Sequence, residues 1–128
     1  MNTWYATLDA PPLTPPSWVF APVWSVLYVM MALGIFLWYR SPDRFLPRRT
    51  WFLLALHLTA NLTWNPFFFQ LQSPLLALGD ILLIWVTLLV LLGRFRRESR
   101  RAYVLWLPYF FWVTFATYLN AGFWWLNK

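Results

Sequence analysis

Residues 74–93 read PLLALGDILLIWVTLLVLLG, a run with one charged side chain, Asp80, between Ser73 and Arg94. About 20 predominantly apolar residues are what a helix needs to cross the hydrocarbon of a bilayer. Ser73 and Pro74 supply the start, a capping hydroxyl followed by a proline where the first helical N–H has no partner to lose. The same pattern recurs on both sides. Upstream, the spacing predicts a helix from about Trp51 to Gln70, with Pro66 kinking its end. Beyond a polar turn, Arg40 to Thr50 with Pro42 and Pro47, a further helix is expected from about Trp18 to Tyr39, with Ser17 as N-cap and Pro22 tolerated in its first turns. Downstream of Arg94–Arg101 a last helix covers about Ala102 to Leu126, with Pro108 as a kink or late start. The short uncharged link Gln70 to Pro74 makes its two flanking helices a tight antiparallel hairpin. The expectation is an all-α membrane protein, one domain over residues 1–128, with transmembrane helices at about 18–39, 51–70, 74–93 and 102–126.

The N-terminal segment, Met1 to Ser17, carries Asp9, Pro11, Pro12, Pro15 and Pro16, which rule out a continuous helix. It reads as an extended external loop. Without the basic start and apolar run of a signal peptide, no cleavage is expected.

Composition excludes most alternatives. Of 128 residues, 61% are hydrophobic, 23% aromatic and 11% charged, the last about half the share of a soluble domain. A soluble core of this length has no room for 11 Trp, 12 Phe and 6 Tyr. Disorder is excluded by the same arithmetic, and disulfide, zinc-finger and thiol chemistry by the absence of Cys. The formal charge of +6 does not point to nucleic acid, because the basic residues are not interleaved with aromatics on one surface. Arg40, Arg44, Arg48 and Arg49 form one group, Arg94, Arg96, Arg97, Arg100 and Arg101 another, and Lys128 stands apart. Both Arg groups fall in connections on the same side of the expected bundle. The positive-inside rule makes that side cytoplasmic and puts both termini outside, in the inner membrane of a bacterium.

Polar residues inside the spans are the candidates for chemistry, since polar groups do not face lipid tails cheaply. On the second helix His57, Asn61 and Asn65 recur every four residues, with Trp64 close to the same face. They should point into the bundle, either as a structural hydrogen-bond stripe or, for Asn61, toward a ligand. Asp80 is the sole acid well inside a span, near enough to the hairpin end to reach interfacial water or a neighbouring hydroxyl. One His, no Cys and four acids leave no metal site, and no resident cofactor is expected. Trp24 and Tyr28 align on the first helix, and Tyr109, Trp112, Ala116 and Asn120 on the last. Belts of Trp and Tyr are ordinary at membrane interfaces, but the small Ala116 leaves room beside aromatic walls for a flat apolar ligand. Ala55, Thr59 and Thr63 place small residues every four positions, as close helix packing requires. No nucleophile elbow, phosphate loop, metal-binding helix motif or close carboxylate pair is present.

Three ordered motifs carry a resemblance. They are Trp4-Tyr5, Leu8, Pro11, Pro15, Pro16, Trp18, Phe20, Pro22, Val23, Trp24, Leu27 and Tyr28; then Asn61-Leu62-Thr63-Trp64-Asn65-Pro66-Phe67-Phe68-Phe69; then Leu107-Pro108-Tyr109-Phe110-Phe111-Trp112 with Phe115-Ala116-Thr117-Tyr118-Leu119-Asn120. Together they resemble the tryptophan-rich sensory protein, or translocator protein, family, a bundle of five transmembrane helices commonly found as a homodimer. The four expected spans correspond to the family's second to fifth helices, so the first is expected to be missing. The resemblance implies an intramembrane pocket under the proline-rich loop, binding porphyrins or other planar apolar molecules, with Tyr5, Pro16, Trp24, Tyr28, Asn61, Trp64, Trp112 and Ala116 as its residues. It also implies tetrapyrrole-linked sensing or stress regulation. The alternative is light-dependent porphyrin degradation with Trp24 and Trp112 in catalytic roles, and a second is a structural or partner-dependent subunit. The family's dimer seam falls on the helix of Ala55, Thr59 and Thr63. The family's sterol motif lacks its Arg after Asn120, where the chain reads Ala121-Gly122-Phe123-Trp124-Trp125. Leu37, Tyr39 and Arg44 match only the loose cholesterol pattern, which recurs by chance.

Overall fold

The computed structural model describes residues 3–128, so the first two residues of the expected loop lie outside it. All the regular structure among the described residues is helical: a single turn α1 (Thr3–Ala6), a 3₁₀ turn Ser17–Val19, and four long helices, α2 (Phe20–Tyr39), α3 (Pro47–Asn65), α4 (Pro74–Glu98) and α5 (Arg100–Leu126). Ser73 caps α4 as its sequence requires, its hydroxyl oxygen accepting from Leu76 N at 3.2 Å ahead of Pro74. Ser99 does the same for α5, accepting from Ala102 N at 3.4 Å, and its extended backbone is the only break between α4 and α5.

Several boundaries differ from the sequence reading. Helix α4 runs five residues past Gly93 to Glu98, burying Phe95 and Glu98 and holding Arg96 and Arg97 in the last turn, where the helix dipole favours cations. Helix α3 starts earlier, at Pro47. Pro66 opens a π-helical turn, Pro66–Gln70, closed by Leu71 N to Pro66 O at 2.9 Å, because a residue without an N–H cannot continue the α-helical ladder. Ser17 does not cap α2 with its side chain; it opens the 3₁₀ turn instead. Pro108 leaves α5 unbroken from Arg100 to Leu126.

Ser17–Tyr39, Pro74–Glu98 and Arg100–Leu126 are each long and apolar enough to cross a membrane. The α3 stretch does not meet that standard by composition, because it carries Arg48, Arg49, Thr50, His57 and Asn61. Thr50, His57 and Asn61 are buried, so α3 gains its place in the bundle from neighbours that satisfy those groups. The apolar windows of the other three face mostly outward, with 17% of residues buried in α2, 39% in α4 and 28% in α5. Leu33, Phe36, Leu82, Val86, Val90 and Phe111 are among the exposed side chains, a surface suited to lipid rather than water.

Packing runs in the order α2–α5–α4–α3, with α2 and α3 at the two edges and no comparable packing between them. Leu27, Met31, Leu54, Leu88, Leu91, Phe95, Trp106 and Val113 fill the centre. Both Arg-rich connections lie at one end, tied together by Glu98. Its carboxylate accepts from Trp38 Nε1 at 3.3 Å and Phe45 N at 2.9 Å, and its carbonyl accepts from Ser41 Oγ. At the other end the N-terminal loop is fastened to α5. Asp9 and Asn127 exchange two 2.9 Å bonds, Tyr118 Oη donates to Pro12 O at 2.6 Å, and Pro11 lies against Gly122.

Candidate ligand-binding site

A cavity of about 410 Å³ opens inside the bundle at the loop end, within the range of small-molecule sites. Each element delivers a share of its wall. The loop supplies Tyr5; the start of α2 supplies Ser17, Phe20, Ala21, Trp24 and Tyr28; α3 and its π turn supply Asn61, Trp64, Asn65, Phe68 and Phe69. Helix α4 contributes Ile81 and Ile84, and α5 contributes Trp112, Val113, Ala116, Leu119, Asn120 and Phe123. Of the residues expected here, Tyr5, Trp24, Tyr28, Asn61, Trp64, Trp112 and Ala116 line the cavity, while Pro16 stands one residue outside it.

Helical spacing accounts for the walls. Four-residue separation stacks Trp24 on Tyr28, with ring centroids 5.6 Å apart at 30°. Trp24 and Trp112 meet in a T-shaped pair, 6.3 Å between centroids at 89°. Trp112 and Ala116 are again four apart, so the small methyl group clears space beside the indole. On the opposite wall Trp64 stacks on Phe68 at 5.1 Å and 23°, held there by its Nε1 donating to Asn120 Oδ1 at 2.8 Å. Asn120 Nδ2 donates in turn to Pro74 O at 2.8 Å. Tyr5 covers the loop side, 5.2 Å from Phe123 and 5.6 Å from Phe69. Burial pushes the Tyr5 phenol above its usual pKa, so it stays protonated at neutral pH.

The deep end is polar and fully connected. Tyr28 Oη donates to Asn61 Oδ1 at 2.7 Å, and Asn61 Nδ2 donates to Tyr109 Oη at 2.7 Å. Tyr109 Oη also lies 2.8 Å from His57 Nε2, and His57 Nδ1 lies 2.8 Å from Thr87 Oγ1. His57 and Tyr109 are completely enclosed. The every-fourth-residue spacing of His57 and Asn61 points to this inward stripe, and Tyr109 stands on the aligned face of the last helix; Thr87, the partner on α4, is not marked by anything in the sequence. Asp80 is separate from the cavity, one oxygen accepting from Thr63 Oγ1 at 3.0 Å and tying α4 to α3. Two enclosed polar atoms, Asp80 Oδ2 and Trp112 Nε1, have no hydrogen-bond partner among the described residues. No group of three or more metal-ligating side chains occurs among them either.

The walls are apolar and aromatic, and the polar groups of the deep end are engaged chiefly with one another. The sequence model of the TspO/MBR family matches residues 1–126. A tryptophan-rich protein TspO of Chlorobaculum tepidum is 40% identical over 122 residues, covering 91% of this chain and 75% of its own length. A translocator protein of Ovis aries is 34% identical over 130 residues, 98% of this chain and 75% of its own. A tryptophan-rich sensory protein of Cereibacter sphaeroides is 32% identical over 119 residues, 93% of this chain and 73% of its own. With an all-helical bundle, outward-facing apolar helices and these matches along nearly its whole length, the chain belongs to the TspO/MBR family of integral membrane proteins.

Proposed function

We propose that the chain is a membrane receptor for flat, largely apolar ligands of the porphyrin class, which bind in the aromatic cavity under the N-terminal loop. The observation that carries this reading is the convergence of Trp24, Trp112 and Trp64, from three helices, on one enclosed space beside Ala116. Stacked and edge-on aromatic contacts are worth roughly 0.5–1.5 kcal/mol each beyond area burial, so a planar ring against two such walls gains several-fold in affinity per contact. The proposal includes a homodimer, supported by the exposed Ala55 and Thr59 on the outer face of α3, with Thr63 turned partly inward to Asp80. It also includes an inner-membrane orientation with the Arg-rich end in the cytoplasm.

Titration of the purified protein with protoporphyrin, followed by tryptophan fluorescence, tests the pocket. Quenching is expected to weaken at least about fivefold in Trp24→Phe and in Trp112→Phe, the loss of about 1 kcal/mol of stacking. Equal affinity in all three proteins would overturn the site. The edge-on Trp24–Trp112 pair favours one further reading, conversion of bound porphyrin in light. Illumination of the same complexes separates the two: new absorption bands that depend on both indoles mean conversion, and bleaching at the rate of free porphyrin means binding alone.

A further inference from the structure

The hydrogen bonds at the deep end of the cavity have a direction, and it is fixed from the far end. Thr87 Oγ1 lies 2.9 Å from the carbonyl oxygens of both Leu83 and Ile84. Carbonyl oxygens only accept, so the single hydroxyl hydrogen of Thr87 points to them. Thr87 Oγ1 must then accept at its 2.8 Å contact with His57, which places the imidazole hydrogen on Nδ1. In a neutral ring Nε2 is left as a bare acceptor, and it takes the hydroxyl hydrogen of Tyr109 at 2.8 Å. The Tyr109 oxygen accepts from Asn61 Nδ2, and this orientation turns Asn61 Oδ1 toward Tyr28, whose hydroxyl donates to it. The bridging hydrogens along Tyr28–Asn61–Tyr109–His57–Thr87 therefore run away from the cavity and end on the backbone of α4. Asn61 is only 7% exposed, and its Oδ1 and one of its two Nδ2 hydrogens are taken up along this run. Tyr28 is 43% exposed and lines the cavity, with its oxygen lone pairs free and its hydrogen committed inward.

We infer that Tyr28 Oη meets the ligand as a pure hydrogen-bond acceptor, so the pocket selects flat apolar molecules that carry a hydroxyl, amine or protonated carboxyl donor over isosteres that lack one. This rests on the ligand pocket proposed above. His57 acts as a positioning residue: its tautomer sets the polarity of the chain and never touches the ligand. Reversal of the chain would free the Tyr28 hydrogen, but it would take the Thr87 hydrogen from two carbonyl oxygens and set lone pairs against them.

A matched pair of flat probes tests the inference: 1-hydroxypyrene, which donates, and 1-methoxypyrene, which only accepts. The full chain in detergent is expected to bind the hydroxy compound about fivefold to tenfold more tightly, the worth of one half-exposed hydrogen bond. Tyr28→Phe keeps the ring stacked on Trp24, so it should still bind both and lose the preference; the ratio between the two proteins cancels any difference in detergent partitioning. Equal affinities in the unsubstituted protein would overturn the acceptor assignment and leave the pocket standing. Failure of both probes to bind would overturn the pocket itself. A second measurement needs no substitution, because His57 is the only histidine of the chain. Nitrogen-15 NMR of histidine-labelled protein should show a neutral ring protonated at Nδ1, and protonation at Nε2 would overturn the polarity.

Discussion

Gly34 is the residue whose identity decides how closely α2 and α5 approach. A Cβ placed there would lie 2.5 Å from Trp106 Cδ1 and 2.6 Å from Trp106 Nε1. That indole cannot yield easily, being wholly buried, with its Nε1 donating to Met31 O at 3.1 Å and its ring 5.8 Å from His57 and 5.5 Å from Tyr109. Gly34→Ala is therefore expected to destabilise the protein by about 1–3 kcal/mol, the usual cost of overpacking, despite the better helix propensity of Ala. Thermal unfolding in detergent would read this as a lowered Tm, and an unchanged or raised Tm would show that the indole has another place to go. Because Trp106 lies against the His57–Tyr109 pair, the same substitution should also disturb ligand binding. Trp24, Tyr28, Trp112 and Ala116 could be aligned from residue spacing alone; the meeting of Gly34 with Trp106, 72 positions later, could not, since a glycine within an apolar helix carries no mark of what lies opposite.

Among the elements, α3 differs most from its sequence reading. Judged by composition it is the weakest span of the four, yet it contributes both buried members of the hydrogen-bonded stripe, His57 and Asn61, to the centre of the bundle. Its inner face is held by bonds to α2, α4 and α5, through Tyr28, Thr87 and Tyr109. Its outer face presents Ala55 and Thr59, and Thr59 Oγ1 turns back to Ala55 O at 2.7 Å, leaving a low, nearly apolar surface. Such a surface lets two helices approach until their backbones nearly touch, which is how helices associate where lipid removes the hydrophobic drive. Thr59→Phe is expected to shift the protein from dimer to monomer in detergent, seen by light scattering, with little change in ligand binding because residue 59 faces away from the cavity. A dimer of undiminished stability would remove α3 as the seam. The π turn after Asn65 was legible only as a disturbance at Pro66. Its consequence, carrying Phe68 and Phe69 round onto the cavity wall, depends on where Tyr5, Trp64 and Phe123 receive those rings.

At the scale of the molecule, charge divides the two ends. One holds nine of the ten basic residues, with Arg44 lying over the rings of Trp38 and Tyr39 at 5.5 and 5.2 Å, a placement suited to the membrane interface. The other holds the docked loop, the π turn, the cavity and Lys128. The chain has no cysteine, so single substitutions report orientation cleanly. A membrane-impermeant thiol reagent should label Gln72→Cys in intact cells and Arg97→Cys only after the membrane is opened. The opposite pattern would invert the topology and put the loop-covered cavity on the cytoplasmic side.

The sequence by itself determined the solvent, the helical class, the number of long helices, the end at which charge collects and the residue types that face inward. Each is a local or periodic property: apolar length, capping residues, charge clustering and the 3.6-residue repeat act within one segment. The tertiary structure alone decided which segments meet. The loop closes on α5 through Asp9 and Asn127, 118 positions apart, and Glu98 is buried under Trp38 and Phe45 despite its place in an arginine-rich connection. His57 finds Tyr109 and Thr87, converting a stripe of polar residues into a chain with a direction. A hydrogen bond between helices depends on both partners and on the angle at which they are brought together, and that information is not present in either segment alone.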